Sequence, residues 1–275
     1  PSGIATLTDM INREHWGRAM AIHELAPNLG FITAPFLSEA LLKLFPWRDG
    51  LAMLGVWAML MGILFLVSGG GGKYKGEPPR LKSMHKIVIH PSFWVMAILF
   101  IVSIGSSMGV YTMMPLYLVS QIGMDRGLAN TIIGLSRLFG IIVVFLSGVI
   151  TDRIGHQRAM TLFLTATGVF TLLLGLIPGS KTLPPLIFLQ AASAACLFPV
   201  GFTIISLDFP SNLRSLAVSL VILIGFTLGG GVLPSSIGYW ADTFSFSSGF
   251  FLLGILFLAI LPLSFYIRSK VNVSQ

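Results

Sequence analysis

The chain has 275 residues, of which 55% are hydrophobic and only 10% are charged, with 17 Lys and Arg against 10 Asp and Glu. Soluble domains carry about 25% charged residues, so the mean hydropathy of +0.88 excludes a water-soluble globular protein. A membrane helix needs roughly 20 apolar residues, and the alternation at about ten-residue spacing that a membrane barrel shows is absent. The composition therefore indicates an all-α integral membrane protein. Its eight predicted spans are 18–44, 49–68, 92–118, 128–150, 159–178, 183–206, 214–235 and 249–267.

Basic residues in the predicted loops account for the net charge of +7, so we expect no binding of nucleic acid. With eight spans, both ends of the chain lie on one side of the membrane. That side receives twelve of the Lys and Arg residues, the opposite side receives four, and Arg137 falls inside a span. Cytoplasmic loops carry such an excess of basic residues. The bias predicts a multi-pass protein of an inner or plasma membrane with a cytoplasmic C-terminus.

A loop rich in Gly, Pro and basic residues divides the spans into two before it and six after it. We predict that residues 1–68 are the end of an N-terminal helical half with two transmembrane helices. Residues 69–91 are a cytoplasmic central loop, and residues 92–275 are a C-terminal six-helix half. The chain begins with Pro1 instead of Met, and no cleavable signal precedes the first span. We therefore expect four further spans upstream.

Five polar side chains inside the spans are candidates for contact with a substrate or a coupling ion. Glu24 lies about 9 Å from the cytoplasmic end of the first span; it could pair with Arg137, carry a proton, or be wetted from the cytoplasm. Arg137 lies about 12 Å deep in the fourth span, where a charge usually faces a cavity or a partner. It either contacts an anionic or polar substrate or snorkels to the outer interface. The other candidates, which could instead satisfy hydrogen bonds between helices, are Asn28, Tyr111 and Gln190.

The loop between the fourth and fifth spans carries an unusual charged motif, which reads Gly148-Val-Ile-Thr-Asp152-Arg153-Ile-Gly155-His-Gln-Arg158. Its glycines would allow close helix packing and a tight turn. The Asp152 carboxylate would accept hydrogen bonds at a helix N-terminus, and we place that N-terminus at the start of the seventh span, near Arg214. The motif resembles the signature loop of the major facilitator superfamily, Gly-x-x-x-Asp-Arg-x-Gly followed by basic residues.

The resemblance covers essentially the whole chain, and an internal echo strengthens it. The echo aligns Gly17-Arg18 at the start of the first span with Leu213-Arg214 at the start of the seventh, and the two halves of superfamily members are related by such parallel repeats. The resemblance implies a helical bundle of the superfamily type, in which the eight transmembrane helices correspond to helices 5–12 of twelve. It also implies a conformational-switch loop that braces one conformation and is released in the other. The residues of that loop are Gly148, Asp152, Arg153, Gly155 and Arg158.

The function that the resemblance implies is secondary active transport of a small solute by alternating access, driven by an ion or proton gradient. If Arg137 faces the cavity, a small organic anion is the expected substrate. The sequence has no His, Cys and acidic cluster with metal spacing and no phosphate-binding loop, so we expect no cofactor, no metal and no enzymatic activity. The expected partners are the lipid bilayer, a small-molecule substrate and H+ or another coupling ion, for a protein that is monomeric when full-length.

Two other functions are compatible with the sequence. One is a transporter-fold membrane sensor without net flux. A long soluble effector domain would favour that function, but these residues contain none. An integral-membrane enzyme would need clustered ionisable groups at one face of the bilayer, and only the signature loop approaches that. The Gly-rich motif of the family's antiporters is also altered here, since residues 30–39 read GFITAPFLSE. This departure argues against drug–proton exchange.

Overall fold

A computed structural model describes residues 2–68, 80–177, 179 and 181–266. These residues form helices joined by short connections, and no strand occurs among them. The helices are α1 (Ser2–Met10), α2 (Trp16–Leu44), α3 (Trp47–Ser68), α4 (Leu81–Val88), α5 (Pro91–Gln121), α6 (Arg126–Ile154), α7 (His156–Leu176), α8 (Leu183–Asp208), α9 (Ser211–Thr243) and α10 (Phe246–Tyr266). Two of them contain π-helical segments, at Gly105–Gly109 and Tyr117–Gln121 in α5 and at Phe226–Val232 in α9.

Seven helices in the described part of the chain, α3 and α5 to α10, are long and apolar enough to cross a membrane. Helix α2, with 29 residues, also has the length of a span. Each of the eight predicted spans falls on one of these long helices, so the prediction of an all-α integral membrane bundle is confirmed. The predicted central loop, residues 69–91, lies partly outside the described residues; its described part contains the short helix α4.

The ends of several helices follow from single residues. Asp125 caps α6, since its side chain accepts a hydrogen bond of 3.0 Å from the backbone N–H of Leu128. Ser245 caps α10 in the same way, through the N–H of Ser248 at 3.1 Å. Gly155 separates α6 from α7 with φ of 87°, a left-handed conformation that favours glycine. The tight turn predicted at Gly155 is therefore present.

The helices α5 to α10 pack into one bundle. Helix α6 packs against α8 and α2, α7 lies against α8 and α10, and α5 contacts α9 and α8. Tyr117 joins three of these helices, because its ring meets Phe250 of α10 edge-on at 5.1 Å and its hydroxyl donates to the carbonyl of Leu174 in α7 at 2.8 Å. Helix α3 packs against α2 and leaves nearly all of its apolar side chains exposed.

Helices α5 and α9 cross at glycines, where the π-helical segment Gly105–Gly109 of α5 faces Phe226–Val232 of α9. A Cβ atom at Gly229 would meet the carbonyl oxygen of Ile101 and lie 2.9 Å from the backbone nitrogen of Gly105. Only a residue without a side chain allows the two backbones to come this close. The crossing thus fixes α9 against the middle of α5.

We expect the change Gly254→Ala to destabilise the protein by about 1–3 kcal/mol. The added methyl group would meet the backbone nitrogen, Cα and Cβ of Leu172 in α7, and backbone atoms cannot rotate away. The measurement is the thermal midpoint of the purified protein in detergent. Gly134→Ala in α6 is the matched control, because a Cβ there meets nothing within 4 Å. Equal midpoints for the two variants would contradict the packing described for α7 and α10.

Candidate functional site

The signature loop contacts the beginning of α2 through Asp152. This residue lies in the last turn of α6, and its Oδ1 accepts a hydrogen bond of 2.9 Å from the backbone N–H of Gly17. Its Oδ2 accepts from the backbone N–H of Arg18 at 3.2 Å and from Arg18 Nε at 2.9 Å. The Asp152 side chain is only 5% exposed. The carboxylate therefore caps the N-terminus of α2 and forms an ion pair with its first arginine.

Two glycines allow α2 and α6 to approach closely enough for this contact. A Cβ at Gly148 would lie 2.8 Å from Arg18 Cα and 2.8 Å from Ala21 Cβ. A Cβ at Gly17 would collide with Asp152 Oδ1 and lie 2.9 Å from the carbonyl oxygen of Gly148. Gly148, the first glycine of the motif, therefore allows α6 to pack closely against α2. Asp152 of the same motif then binds the N-terminus of α2.

The predicted partner of Asp152 was wrong, although binding to a helix N-terminus is confirmed. Arg214 instead donates from Nη1 to Thr8 Oγ1, and its guanidinium lies over the Trp16 ring at 5.3 Å. The sequence echo aligns Gly17 with Leu213, and only glycine allows the close approach that Asp152 requires. That difference was a usable signal, and it favoured Arg18.

The two arginines of the signature loop take no part in the contact between Asp152 and α2. Arg153 and Arg158 are exposed, and neither forms an ion pair within the described part of the chain. The structure thus brings Gly148 and Asp152 to α2, uses Gly155 for the turn between α6 and α7, and leaves the two arginines at the surface.

Arg137 lies eleven residues after the first residue of α6, about 16 Å along the helix axis. Its Nη2 donates to the carbonyl oxygen of Ser107 at 2.5 Å, and its Nη1 lies 3.3 Å from the Ser107 hydroxyl. The guanidinium carbon lies 3.7 Å from the centre of the Tyr111 ring. Its Nε is buried without a hydrogen-bond partner, and no carboxylate among the described residues forms an ion pair with it.

Gln190 of α8 binds the neighbouring carbonyl of the same π-helical segment. Its Nε2 donates to the carbonyl oxygen of Ser106 at 3.1 Å and lies 3.4 Å from Thr171 Oγ1. Side chains that insert into a helical ladder commonly accompany such π-helical turns. Three of the predicted residues, Arg137, Tyr111 and Gln190, therefore meet around the π-helical segment of α5.

Glu24 is buried, with 7% of its surface exposed, and one carboxylate oxygen lies 3.0 Å from Nδ1 of His23 on the same helix. The possible Glu24–Arg137 pair is not among the ion pairs between described residues. Arg137 instead contacts Ser107 and Tyr111 of α5. The side chain of Asn28 lies outside those that the structure describes.

Sequence reasoning missed two parts of this arrangement. Ser107 is a partner of Arg137 because its carbonyl belongs to a π-helical turn, and no sequence pattern marks such a turn.

A polar cavity of about 440 Å³ also lies between α1 and the start of α9. Among the residues that line it are Thr8, Asp9, Arg13, Trp16 and Arg214. Within the described residues no group of His, Cys, Asp and Glu could hold a metal ion.

Comparison with known proteins relates this architecture to a transporter family. The family model described as Major Facilitator Superfamily matches residues 1–189. No curated protein matches the chain significantly.

Several solved structures share the fold at low sequence identity. The chain is similar to the fucose:proton symporter FucP of E. coli, with a TM-score of 0.78 and 12% identity over 96% of this chain and 72% of that one. It is similar to a bacterial homologue of the iron transporter ferroportin in the outward-facing state, at 0.72 and 18%, over 96% and 66%. It is also similar to the proton:xylose symporter XylE, at 0.70 and 13%, over 98% and 66%. These likenesses concern the fold alone.

We expect Asp152→Asn to separate the beginning of α2 from the end of α6. The amide offers one acceptor where the carboxylate offers two, and its NH2 group would face the donors of Arg18. Hydrogen bonds to charged groups contribute about 1.5–3 kcal/mol, so the separated population should rise by about tenfold or more. Spin labels at the exposed positions Glu14→Cys and Ile154→Cys, with Cys196 replaced by Ala, measure the distance across the contact.

The matched control for this change is Arg153→Gln. It also alters one charge in the loop, but at an exposed side chain without an ion-pair partner in the described part of the chain. Its distance distribution should equal that of the parent protein. An unchanged distribution in Asp152→Asn would show that the carboxylate does not hold the two helices together.

Proposed function

Because the chain belongs to the major facilitator superfamily, we propose that it transports a small organic anion by alternating access, driven by a proton gradient. The family and the fold already indicate a secondary transporter of the membrane in general terms. The substrate class, the coupling ion and the roles of individual residues are the content of the proposal.

The observation that supports an anionic substrate is the uncompensated charge of Arg137. Its guanidinium lies about 16 Å along a membrane-length helix, over Tyr111, with no carboxylate partner among the described residues. A charge at such a depth is costly unless it faces a partner or a cavity. The carbonyl of Ser107 and the ring of Tyr111 bind the cation but do not neutralise it. An anionic group of the substrate would do so.

The solute is expected to be polar and of modest size. Two of the structures with this fold are described as proton symporters of fucose and xylose, which supports both a small polar solute and proton coupling. Arg137 then distinguishes the proposed substrate from a neutral sugar, because a guanidinium binds a carboxylate or phosphate with paired hydrogen bonds.

We assign the conformational switch to the contact of Asp152 with α2. Helix α2 belongs to the predicted first half of the transporter and α6 to the second, so this contact joins the two halves at one end of the helices. The excess of basic residues in the loops at that end supports a cytoplasmic location for it. A closed contact there corresponds to the outward-facing state of the cycle, and breaking it would open the cytoplasmic side.

Proton coupling is assigned to Glu24 and His23. Glu24 lies on α2, two turns beyond the Asp152 contact, and is buried beside His23. Adding a proton would remove the charge of this buried carboxylate on the helix that carries the Asp152 contact. A carboxylate whose charge state changes on that helix can bias the two arrangements of the halves.

The proposal is tested by uptake into liposomes that contain the full-length protein, with pairs of solutes that differ only in a carboxylate or a carboxamide. We expect Arg137→Gln to lower the apparent affinity for the carboxylate by about tenfold or more. It should leave the affinity for the carboxamide unchanged, because only the charge of the solute meets the guanidinium. The ratio of the two affinities is therefore the diagnostic quantity.

Gln190→Leu is the control for this experiment. It removes a hydrogen bond to the same π-helical segment of α5 without changing a charge. It should affect both solutes equally and leave the affinity ratio unchanged. If Arg137→Gln also leaves the ratio unchanged, Arg137 serves only the backbone of α5 and the anionic substrate is excluded.

We expect Glu24→Gln to abolish the stimulation of uptake by an imposed pH gradient, because an amide cannot exchange a proton under these conditions. Exchange of labelled for unlabelled solute, which needs no gradient, should continue. His23→Gln tests whether the neighbouring imidazole takes part and should reduce the stimulation less. Full stimulation in Glu24→Gln would assign the coupling proton to another residue.

A further inference from the structure

We infer that α4 is an interfacial anchor that binds the surface of a bilayer containing anionic lipids. This inference concerns a surface that the transport proposal does not use, and it stands independently of that proposal. It rests on how the side chains of α4 divide among its faces, on the depth at which the helix lies, and on the charge around it.

The side chains of α4 separate into three faces. Ser83 and Ile87, one turn apart, are buried against the bundle, where α4 contacts α5 and α9. Leu81 and Val88, two turns apart, are exposed, and Leu81 is 86% exposed. Lys82 and Lys86 are exposed on the face beyond them. An exposed apolar strip beside a basic strip is the pattern of a helix that lies in a membrane interface.

The position of Trp94 sets α4 at the level of the interface. Trp94 lies in the first turn of α5, is 51% exposed, and donates from Nε1 to the carbonyl oxygen of Val88 at 2.9 Å. Tryptophan is enriched where a membrane helix enters the headgroup region. Because this hydrogen bond ties the last residue of α4 to the entry point of a span, the exposed Leu81 and Val88 lie near the boundary between headgroups and acyl chains.

The charge of this segment favours anionic headgroups. Arg80, Lys82 and Lys86 are all exposed, and the sequence from residue 80 to residue 94 contains no Asp or Glu. Exposed basic residues close to an anionic leaflet contribute about 1 kcal/mol each. The apolar strip and the three cations together match a phospholipid surface, whereas a free anion would need only the cations.

The test uses the full-length protein in vesicles of phosphatidylcholine with about 30 mol% phosphatidylglycerol, a composition with a negative surface potential. Cys196 is the single cysteine and is buried, so Cys196→Ala permits specific labelling of Leu81→Cys with a fluorophore. Spin-labelled phosphatidylglycerol and spin-labelled phosphatidylcholine serve as quenchers. We expect the first to quench on the order of fivefold more strongly than the second, which corresponds to one such basic contact.

Two variants make the result specific. Replacing Arg80, Lys82 and Lys86 together by Gln should abolish the preference for phosphatidylglycerol but retain quenching by both lipids, since the apolar strip is unchanged. A label at Phe244→Cys reports the opposite end of the bundle, where Phe244 is 65% exposed and Asp242 is the nearest charge in sequence. It should show no preference between the two lipids.

Each remaining outcome overturns the inference. Equal quenching at position 81 by the two lipids would exclude selection of anionic headgroups. Quenching only by a water-soluble quencher would place α4 in the aqueous phase. Loss of the preference on adding glycerol phosphate would make the cations a site for a free anion instead of a membrane surface.

Discussion

The arrangement of this protein depends on one carboxylate placed at the end of a neighbouring helix. Asp152 accepts hydrogen bonds from two backbone N–H groups and from the Arg18 guanidinium in the first turn of α2. Its own side chain is almost completely buried. The close approach of Gly17 and Gly148 lets the carboxylate reach the backbone of α2, and such charge-assisted hydrogen bonds are roughly twice as strong as neutral ones. Helix α2 is thereby held against the bundle at one end.

A second constraint lies in the middle of the bundle, where α5 leaves the α-helical pattern. Its π-helical segment Gly105–Gly109 lies at the glycine crossing with α9, and the carbonyls of Ser106 and Ser107 accept hydrogen bonds from neighbouring helices. In a membrane such carbonyls need partners within the protein. Gln190 and Arg137 supply them. Two polar side chains of these spans therefore bind backbone carbonyls, and in our proposal the remaining charge of Arg137 is neutralised by the solute.

Both constraints meet on α6. Asp152 and Arg137 lie fifteen residues apart on this helix, about 22 Å along its axis, and α6 is continuous between them. Helix α6 carries the Asp152 contact with α2 at one end and the partly buried guanidinium of Arg137 nearer its middle, so it connects the two sites directly. Movement of α2 at the loop would displace the same helix that positions the guanidinium. This connection is the physical basis of the transport mechanism that we propose.

The membrane class, the long helices and the signature loop follow from the sequence alone. Apolar runs of sufficient length permit only hydrogen-bonded helices in a bilayer, and Gly155 and Asp152 mark a turn and a helix cap by their chemistry. The partners of the polar residues did not follow. Arg18 and Arg214 occupy equivalent places in the echo; the glycine before Arg18 is a sequence signal that favours it, but the contact itself depends on which helix packs beside α6. Likewise, the contacts of Arg137 and Gln190 depend on a π-helical segment of α5 that lies where α5 crosses α9. Local sequence encodes the helices and their ends, whereas side-chain partners are decided by contacts between residues far apart in the chain, which exist only once the helices have packed.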